Sequence, residues 1–140
     1  MVRKTRAKPG MTQVFQVSVS LRGVRLPVLR RLLVPAETRL DRLHLILQAA
    51  MGWSGAHHHQ FRLGDLIFMA PGHESRIMPG ADERAVRLDD ILHREEAAYS
   101  YEYDFGDRWS HEFVLERVLD VPTKDTRPIC IGGEGACPRP

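Results

Sequence analysis

The stretch that most limits how this chain can fold runs from Tyr99 to Phe113 and reads YSYEYDFGDRWSHEF. It holds six of the chain's ten aromatic residues. Aromatic and polar residues alternate on both sides of Gly106-Asp107, which is the pattern of a β-hairpin. Such alternation sends one set of side chains to each face of a sheet. We therefore predict a hairpin here and expect the fold and any functional site to be organised around it.

The register of this hairpin decides which side chains meet. A two-residue turn at Gly106-Asp107 makes a polar acid–base or metal-ligand face, with Asp104 opposite Trp109 and Glu102 opposite His111. A three-residue loop makes an aromatic ladder typical of a core, with Tyr103 opposite Trp109, Tyr101 opposite His111 and Tyr99 opposite Phe113. A slip of one residue exchanges the two faces. We favour the two-residue turn.

The pattern at the start of the chain predicts two strands and one helix. Alternating apolar residues indicate a strand from Thr12 to Leu21, and a second strand is expected at about residues 26–34. A stripe with helical spacing then predicts a helix over residues 39–51, with Leu40, Leu43, Ile46, Leu47 and Ala50 on one face. Thr38 is expected as its N-cap and Gly52 as its left-handed C-cap.

Two histidines form the first candidate metal site. On a strand, His57 and His59 point to the same face, about 6.6 Å apart along the strand. Two imidazoles so placed can be the first half of a zinc or iron site. Alternatively, the rings bond to backbone or acidic groups and only line a cleft. Cys130 and Cys137 are either free thiols or further metal ligands, since their spacing matches no zinc knuckle.

Charge and hydropathy limit the classes of function that are open to this chain. Residues 1–50 carry ten basic against two acidic residues, a net +8, whereas residues 51–140 carry a net −6. The two halves either neutralise each other in the fold or leave a basic face for nucleic acid. No apolar run approaches the roughly 20 residues that cross a bilayer, and no secretory signal is recognisable. We expect a cytoplasmic protein with no membrane contact.

The element order predicts an α+β fold in which an antiparallel sheet of hairpins packs on one main helix. We expect residues 1–11 to be a disordered basic tail and residues 12–140 to be a single domain. The segment from about residue 122 is rich in proline and glycine, shows no period and is interpreted as a C-terminal tail.

Several motifs in this order resemble the plasmid pRiA4b ORF-3-like family, some of whose members are labelled TnpR-type passengers of insertion sequences. They are LRRLLVP at Leu29–Pro35, Leu43 through Gly52-Trp53, H-x-H-Q-F at His57–Phe61, Y-D-F-G-D-x-W-x-H at Tyr103–His111, and C-x-G-G-x-x-A-C-P at Cys130–Pro138. The resemblance implies a compact α+β domain with a curved antiparallel sheet around a helix. It implies no defined activity.

Three functions are open. The first is a mobile-element or plasmid accessory domain that binds a protein partner or ligand in a cleft. The candidate residues are Asp104, Asp107 and His111 for catalysis, Trp109, Tyr103 and Glu102 for ligand binding, and His57, His59, His111, Cys130 and Cys137 for a metal. The second is a metal-dependent hydrolase or nuclease in which the same residues hold a divalent ion such as Zn²⁺. The third is DNA binding through the basic N-terminal half.

Overall fold

The computed structural model describes residues 7–55, 57–63, 66–70, 81–92, 98–103 and 109–137. Within these ranges the chain forms eight strands, two α-helices and two short 3-10 turns, Glu83–Ala85 and Thr123–Asp125. The strands are β1 Met11–Leu21, β2 Leu29–Pro35, β3 His59–Leu63, β4 Leu66–Met69, β5 Ala81–Asp82, β6 Ala98–Tyr103, β7 Trp109–Pro122 and β8 Ile129–Glu134. The helices are α1 Leu40–Met51 and α2 Leu88–Ile91. No helix in the described ranges is long and apolar enough to cross a membrane.

All eight strands belong to one sheet, in the order β5-β4-β3-β6-β7-β1-β2-β8. Each neighbouring pair is antiparallel except β4 and β5, which run parallel. The expected α+β class is confirmed, and the sheet is mixed at one edge instead of wholly antiparallel. Residues 1–6 lie outside the described residues, so the predicted tail over residues 1–11 stays a prediction.

Helix α1 covers one face of the sheet with the predicted apolar stripe. Leu40, Leu43 and Leu47 are at most 2% exposed. The helix ends at Gly52, whose φ of 76° is the left-handed conformation expected for this cap.

The N-cap of α1 is Arg39 and not Thr38, and no side chain caps the helix. The Leu40 N–H donates to the Val86 carbonyl at 2.9 Å, and the Thr38 carbonyl accepts from the Leu88 N–H at 2.7 Å. Backbone groups of the segment before α2 therefore take the place of the expected side-chain cap.

The favoured hairpin register is wrong. Tyr103 pairs with Trp109, Tyr101 with His111 and Tyr99 with Phe113, which is the aromatic ladder. Tyr101, Tyr103 and His111 have no exposed surface. Burial of these rings against α1 outweighs the turn preference of Gly106-Asp107, because it removes far more apolar area from water. The turn itself, with Asp104 and Asp107, lies outside the described residues.

Strand β8 has no counterpart in the sequence analysis, which assigned a tail without a period to this segment. It pairs antiparallel with β2, with Arg30 opposite Gly133 and Leu33 opposite Ile129. A Cβ on Gly133 would lie 2.5 Å from the Leu29 carbonyl oxygen. Glycine is required at this position because the two backbones approach closely. The strand also shows little of the alternation of apolar and polar residues by which the other strands are recognised.

Candidate functional site

A group of polar side chains is buried where α1 packs on β3, β6 and β7. We call it the histidine cluster; its members, all at most 9% exposed, are His44, Gln48, His59, Glu83, Tyr101 and His111. His44 and Gln48 are one helical turn apart on the sheet-facing side of α1. His59 begins β3, Tyr101 lies in β6, and Glu83 begins the 3-10 turn.

The Tyr101 hydroxyl joins the helix to the sheet. Gln48 Nε2 donates to it at 3.0 Å, and His44 Nδ1 lies 2.6 Å away. Because the hydroxyl accepts from Gln48, its own proton is available to His44 Nδ1, and a neutral His44 then carries its proton on Nε2. Burial lowers the pKa of His44 to about 4, with a smaller contribution from His59, so this ring is neutral at neutral pH. Burial also raises the pKa of Tyr101.

Gln48 also anchors the loop that follows α1. Its Oε1 accepts the Gly55 N–H at 2.8 Å. Gly55 has a φ of 75°, and a Cβ built on it would lie 4.0 Å from His44 Nε2. The loop backbone therefore lies close to the His44 nitrogen that carries the proton.

The two histidines of the cluster stack face to face. The ring centroids of His44 and His59 are 3.5 Å apart, with an interplanar angle of 8°. His59 Nε2 lies 2.7 Å from Glu83 Oε2. Stacked rings point their nitrogens side by side instead of at one shared point, so this arrangement suits a hydrogen-bond relay better than joint metal ligation.

His111 lies on β7 opposite Tyr101, and one of its ring nitrogens has no hydrogen-bond partner among the described residues. Its Nδ1 lies 3.1 Å from the Tyr101 carbonyl, to which Nδ1–H donates. Burial lowers the pKa of His111 to about 4. Within the described residues, neither His111 Nε2 nor the nearby Trp109 Nε1 has a hydrogen-bond partner. The Trp53 ring packs edge-on against His111, with centroids 5.3 Å apart.

Only part of the set expected to form one site comes together. His59, Tyr103, Trp109 and His111 share the α1-facing side of the sheet, and His59 and His111 both pack against the Tyr101 ring. His57 is exposed; its N–H donates to the Tyr103 hydroxyl at 3.3 Å, and its ring contacts Tyr103 edge-on. His57 and His59 thus both contact the described part of the hairpin.

The remaining candidates lie elsewhere. Glu102 projects from the opposite face, where it accepts from Gln60 Nε2 at 3.1 Å, so the expected Glu102–His111 pair is wrong. Cys130 is exposed in β8, whereas Cys137 is half-buried with its Sγ 3.3 Å from Met51 Sδ, and burial raises its pKa. Across the described ranges, no three His, Cys, Asp or Glu side chains converge as a metal site.

Sequence reasoning missed His44, Gln48 and Glu83. His44 and Gln48 were recognisable in principle, because their i, i+4 spacing continues the buried stripe of α1. Glu83 gives no local signal, since it follows a two-residue strand and meets His59 only through the tertiary fold. A groove of about 470 Å³ lies away from the cluster, between α1 and the start of β8, with Arg42, Leu45 and Pro128 in its lining.

Together, the fold and the cluster define an α+β domain in which one main helix covers a mixed sheet and hydrogen-bonded histidines are buried between them. The family model "Plasmid pRiA4b ORF-3-like protein" matches residues 13–140. The chain belongs to this family, as its motifs indicated.

Two relatives have no established function. The uncharacterised protein y4hQ of Sinorhizobium fredii is 36% identical over 129 residues, which cover 91% of this chain and 66% of that protein. The chain thus spans slightly less than two thirds of this relative's length. The crystal structure of MM3350 from Methanosarcina mazei Go1, a protein of unknown function, is 27% identical and superposes with a TM-score of 0.83 over 94% of this chain and 75% of the other.

Proposed function

We propose that the chain is a ligand-binding accessory domain and that the histidine cluster is its binding site. The observation that carries the proposal is the burial of six hydrogen-bonding side chains together between α1 and the sheet. The plasmid origin in the family's name supports a role connected with mobile DNA elements. A cytoplasmic location is part of the same proposal.

The energetic cost of the cluster supports this proposal. A buried contact between an imidazole and a carboxyl group, such as His59–Glu83, is often no more stabilising than apolar residues of similar size. Polar groups retained in such a place are candidates for function, especially where burial shifts their pKa values, as it does for His44 and His111. The leftover His111 Nε2 and Trp109 Nε1 provide an acceptor and a donor for a bound group.

The cluster reaches the surface beside the Gly55 loop. His44 and His59 retain 9% and 8% exposure, Trp109 is half-buried, and His57 is exposed nearby. A ligand entering here would meet the Nε2–H of His44 and aromatic walls. This combination suits a small polar molecule with a hydrogen-bond acceptor and a flat apolar face.

A thermal-shift titration tests the proposal. The probes are inorganic phosphate, short carboxylates, amino acids and nucleosides, added to untagged protein. We expect at least one probe class to raise Tm, by an amount that grows with its concentration, because a ligand that binds only the folded state stabilises it.

The matched variant replaces the buried pair by apolar residues, His59→Leu with Glu83→Leu. We expect this double variant to stay within about 1 kcal/mol of the wild type or to gain stability, while losing the probe response. His59→Leu alone leaves Glu83 buried without its partner and should cost roughly 3–5 kcal/mol. If no probe raises Tm and the double variant is strongly destabilised, the cluster has a structural role only.

The second candidate, a metal-dependent hydrolase or nuclease, is favoured by one contact. His59 and Glu83, 2.7 Å apart, are both ligand-type groups, and His57 lies two residues before His59. The two further ligands expected from the sequence, Asp104 and Asp107, lie outside the described residues. Calorimetric titration of untagged protein with Zn²⁺ tests this candidate, with His59→Gln as the control. Stoichiometric binding that the variant lacks would support it, and no binding would remove it.

A further inference from the structure

Strand β8 lies at one end of the sheet with an open side. Among the described strands it pairs only with β2, and all six of its residues are exposed. Ile129 and Ile131 are 49% and 47% exposed, although both are large apolar residues in an ordered strand. In the described part of the chain, no strand pairs with the backbone groups along its outer side.

Natural proteins usually protect such an edge from pairing. The usual devices are charged side chains, proline within the strand, a β-bulge, or a very short strand. From Ile129 to Gly133 strand β8 has no charge and no proline, although a register shift against β2 skips Ile131. The opposite edge, β5, is only two residues long and follows the rule. An edge with two exposed isoleucines and no charge between them is compatible with pairing to another strand.

The charges beside β8 indicate what pairs with it. Arg127 precedes the strand and Glu134 ends it, and both are exposed. Neither side chain forms an ion pair with any described residue. An antiparallel copy of the same strand would bring Arg127 to the end that carries the partner's Glu134, and the reverse at the other end. A parallel copy would set like charges together, so the strand is complementary to itself in the antiparallel sense only.

We propose that two copies of this chain associate through antiparallel pairing of β8 with the partner's β8. The result is a two-fold dimer in which the two eight-stranded sheets become continuous. A two-fold axis makes such an interface isologous, so each copy contributes the same strand. The exposed isoleucines are then covered, and the outer backbone groups of β8 gain hydrogen-bond partners. This proposal is independent of the ligand site.

Cys130 gives the dimer a chemical signature. With the two-fold axis at Cys130 or Ile131, Cys130 lies directly or diagonally opposite the partner's Cys130, within roughly 5–8 Å between Cβ atoms. The other thiol, Cys137, is half-buried against Met51 and Arg30. The chain therefore supplies its own pair of test and control cysteines.

The test combines sedimentation velocity with thiol cross-linking. Wild-type protein should shift from monomer to dimer over a series of rising concentrations. A short bis-maleimide should cross-link the Cys137→Ser variant, which keeps Cys130, and leave the Cys130→Ser variant uncross-linked. Ile131→Lys sets two like charges at the axis and should weaken dimerisation by roughly tenfold or more.

The matched control is Leu66→Lys, on an exposed apolar residue of β4 near the other end of the sheet. It should leave dimerisation unchanged. Circular dichroism verifies that each variant is folded. A wild-type protein that stays monomeric at every concentration overturns the proposal. So does a dimer that resists Ile131→Lys and cross-links without Cys130.

Discussion

Tyr101 determines the proton positions on two imidazoles of the histidine cluster. Its hydroxyl, held by Gln48, meets Nδ1 of His44, and its backbone carbonyl accepts from Nδ1–H of His111. One residue thus sets the tautomer of a ring on the helix and of a ring on the neighbouring strand. Such orientation by a third group is common where imidazoles have a chemical role.

Stability should fall as the pH falls from 6.5 to about 4. Burial lowers the pKa of His111 from 6.5 to about 4, so across this window the unfolded chain binds a proton that the folded chain refuses. His44 contributes in the same direction. For His111 alone the loss is roughly 3 kcal/mol at the lower end. Urea unfolding at a series of pH values measures it.

His111→Phe is the variant that isolates this effect. It removes the titrating group and the unpaired Nε2 while keeping a ring of similar shape. We expect a smaller fall in stability between pH 6.5 and 4 than in the wild type. An unchanged pH dependence in the variant would mean that other groups cause the acid sensitivity.

At the scale of elements, the strands and α1 were recognisable where local pattern and burial agree. Alternation in β1 and helical spacing in α1 each follow from one buried face. The hairpin register was not recognisable, because the turn residues and the burial of aromatic rings favour different pairings. Only the packing of α1 against the rings determines which pairing forms. The position of Glu83 opposite His59 was equally hidden, because 24 residues of chain separate them.

Gly133→Ala should release part of β8 from β2. The added methyl group would lie 2.5 Å from the Leu29 carbonyl oxygen, which is backbone and cannot move aside cheaply. The matched control is Gly132→Ala, where no atom lies within 4 Å and φ is not positive. Amide hydrogen exchange over residues 129–134 should accelerate in the first variant only. Equal protection in both variants would show that β8 tolerates the side chain.

At the scale of the whole molecule, the basic and acidic halves meet across the sheet. Arg22 pairs with Glu112, and Arg31 binds Glu116 with a shortest contact of 2.7 Å. The hydrogen bonds from Arg31 hold the pKa of Glu116 below its usual value. Each pair joins a base of the first half to an acid of the second. This arrangement supports mutual neutralisation more than a free basic face.

We therefore expect weak or no binding of duplex DNA by the wild-type protein, even at low salt. The double variant Glu112→Gln with Glu116→Gln frees two arginines on one surface and should bind DNA more tightly, with a steeper salt dependence. Fluorescence anisotropy with a labelled duplex measures both proteins. Tight, salt-sensitive binding by the wild type would contradict this expectation and favour the nucleic-acid function.

The central position of β1 has a consequence for synthesis of the chain. Strand β1 leaves the ribosome long before β7, yet Met11 pairs with Pro122 at the far end of β7. The middle of the sheet therefore cannot close until more than a hundred further residues have been made, and such distant contacts form slowly. During that interval one edge of β1 has no partner strand. An unpaired strand edge of this kind makes a nascent chain prone to aggregation until the partner strand emerges.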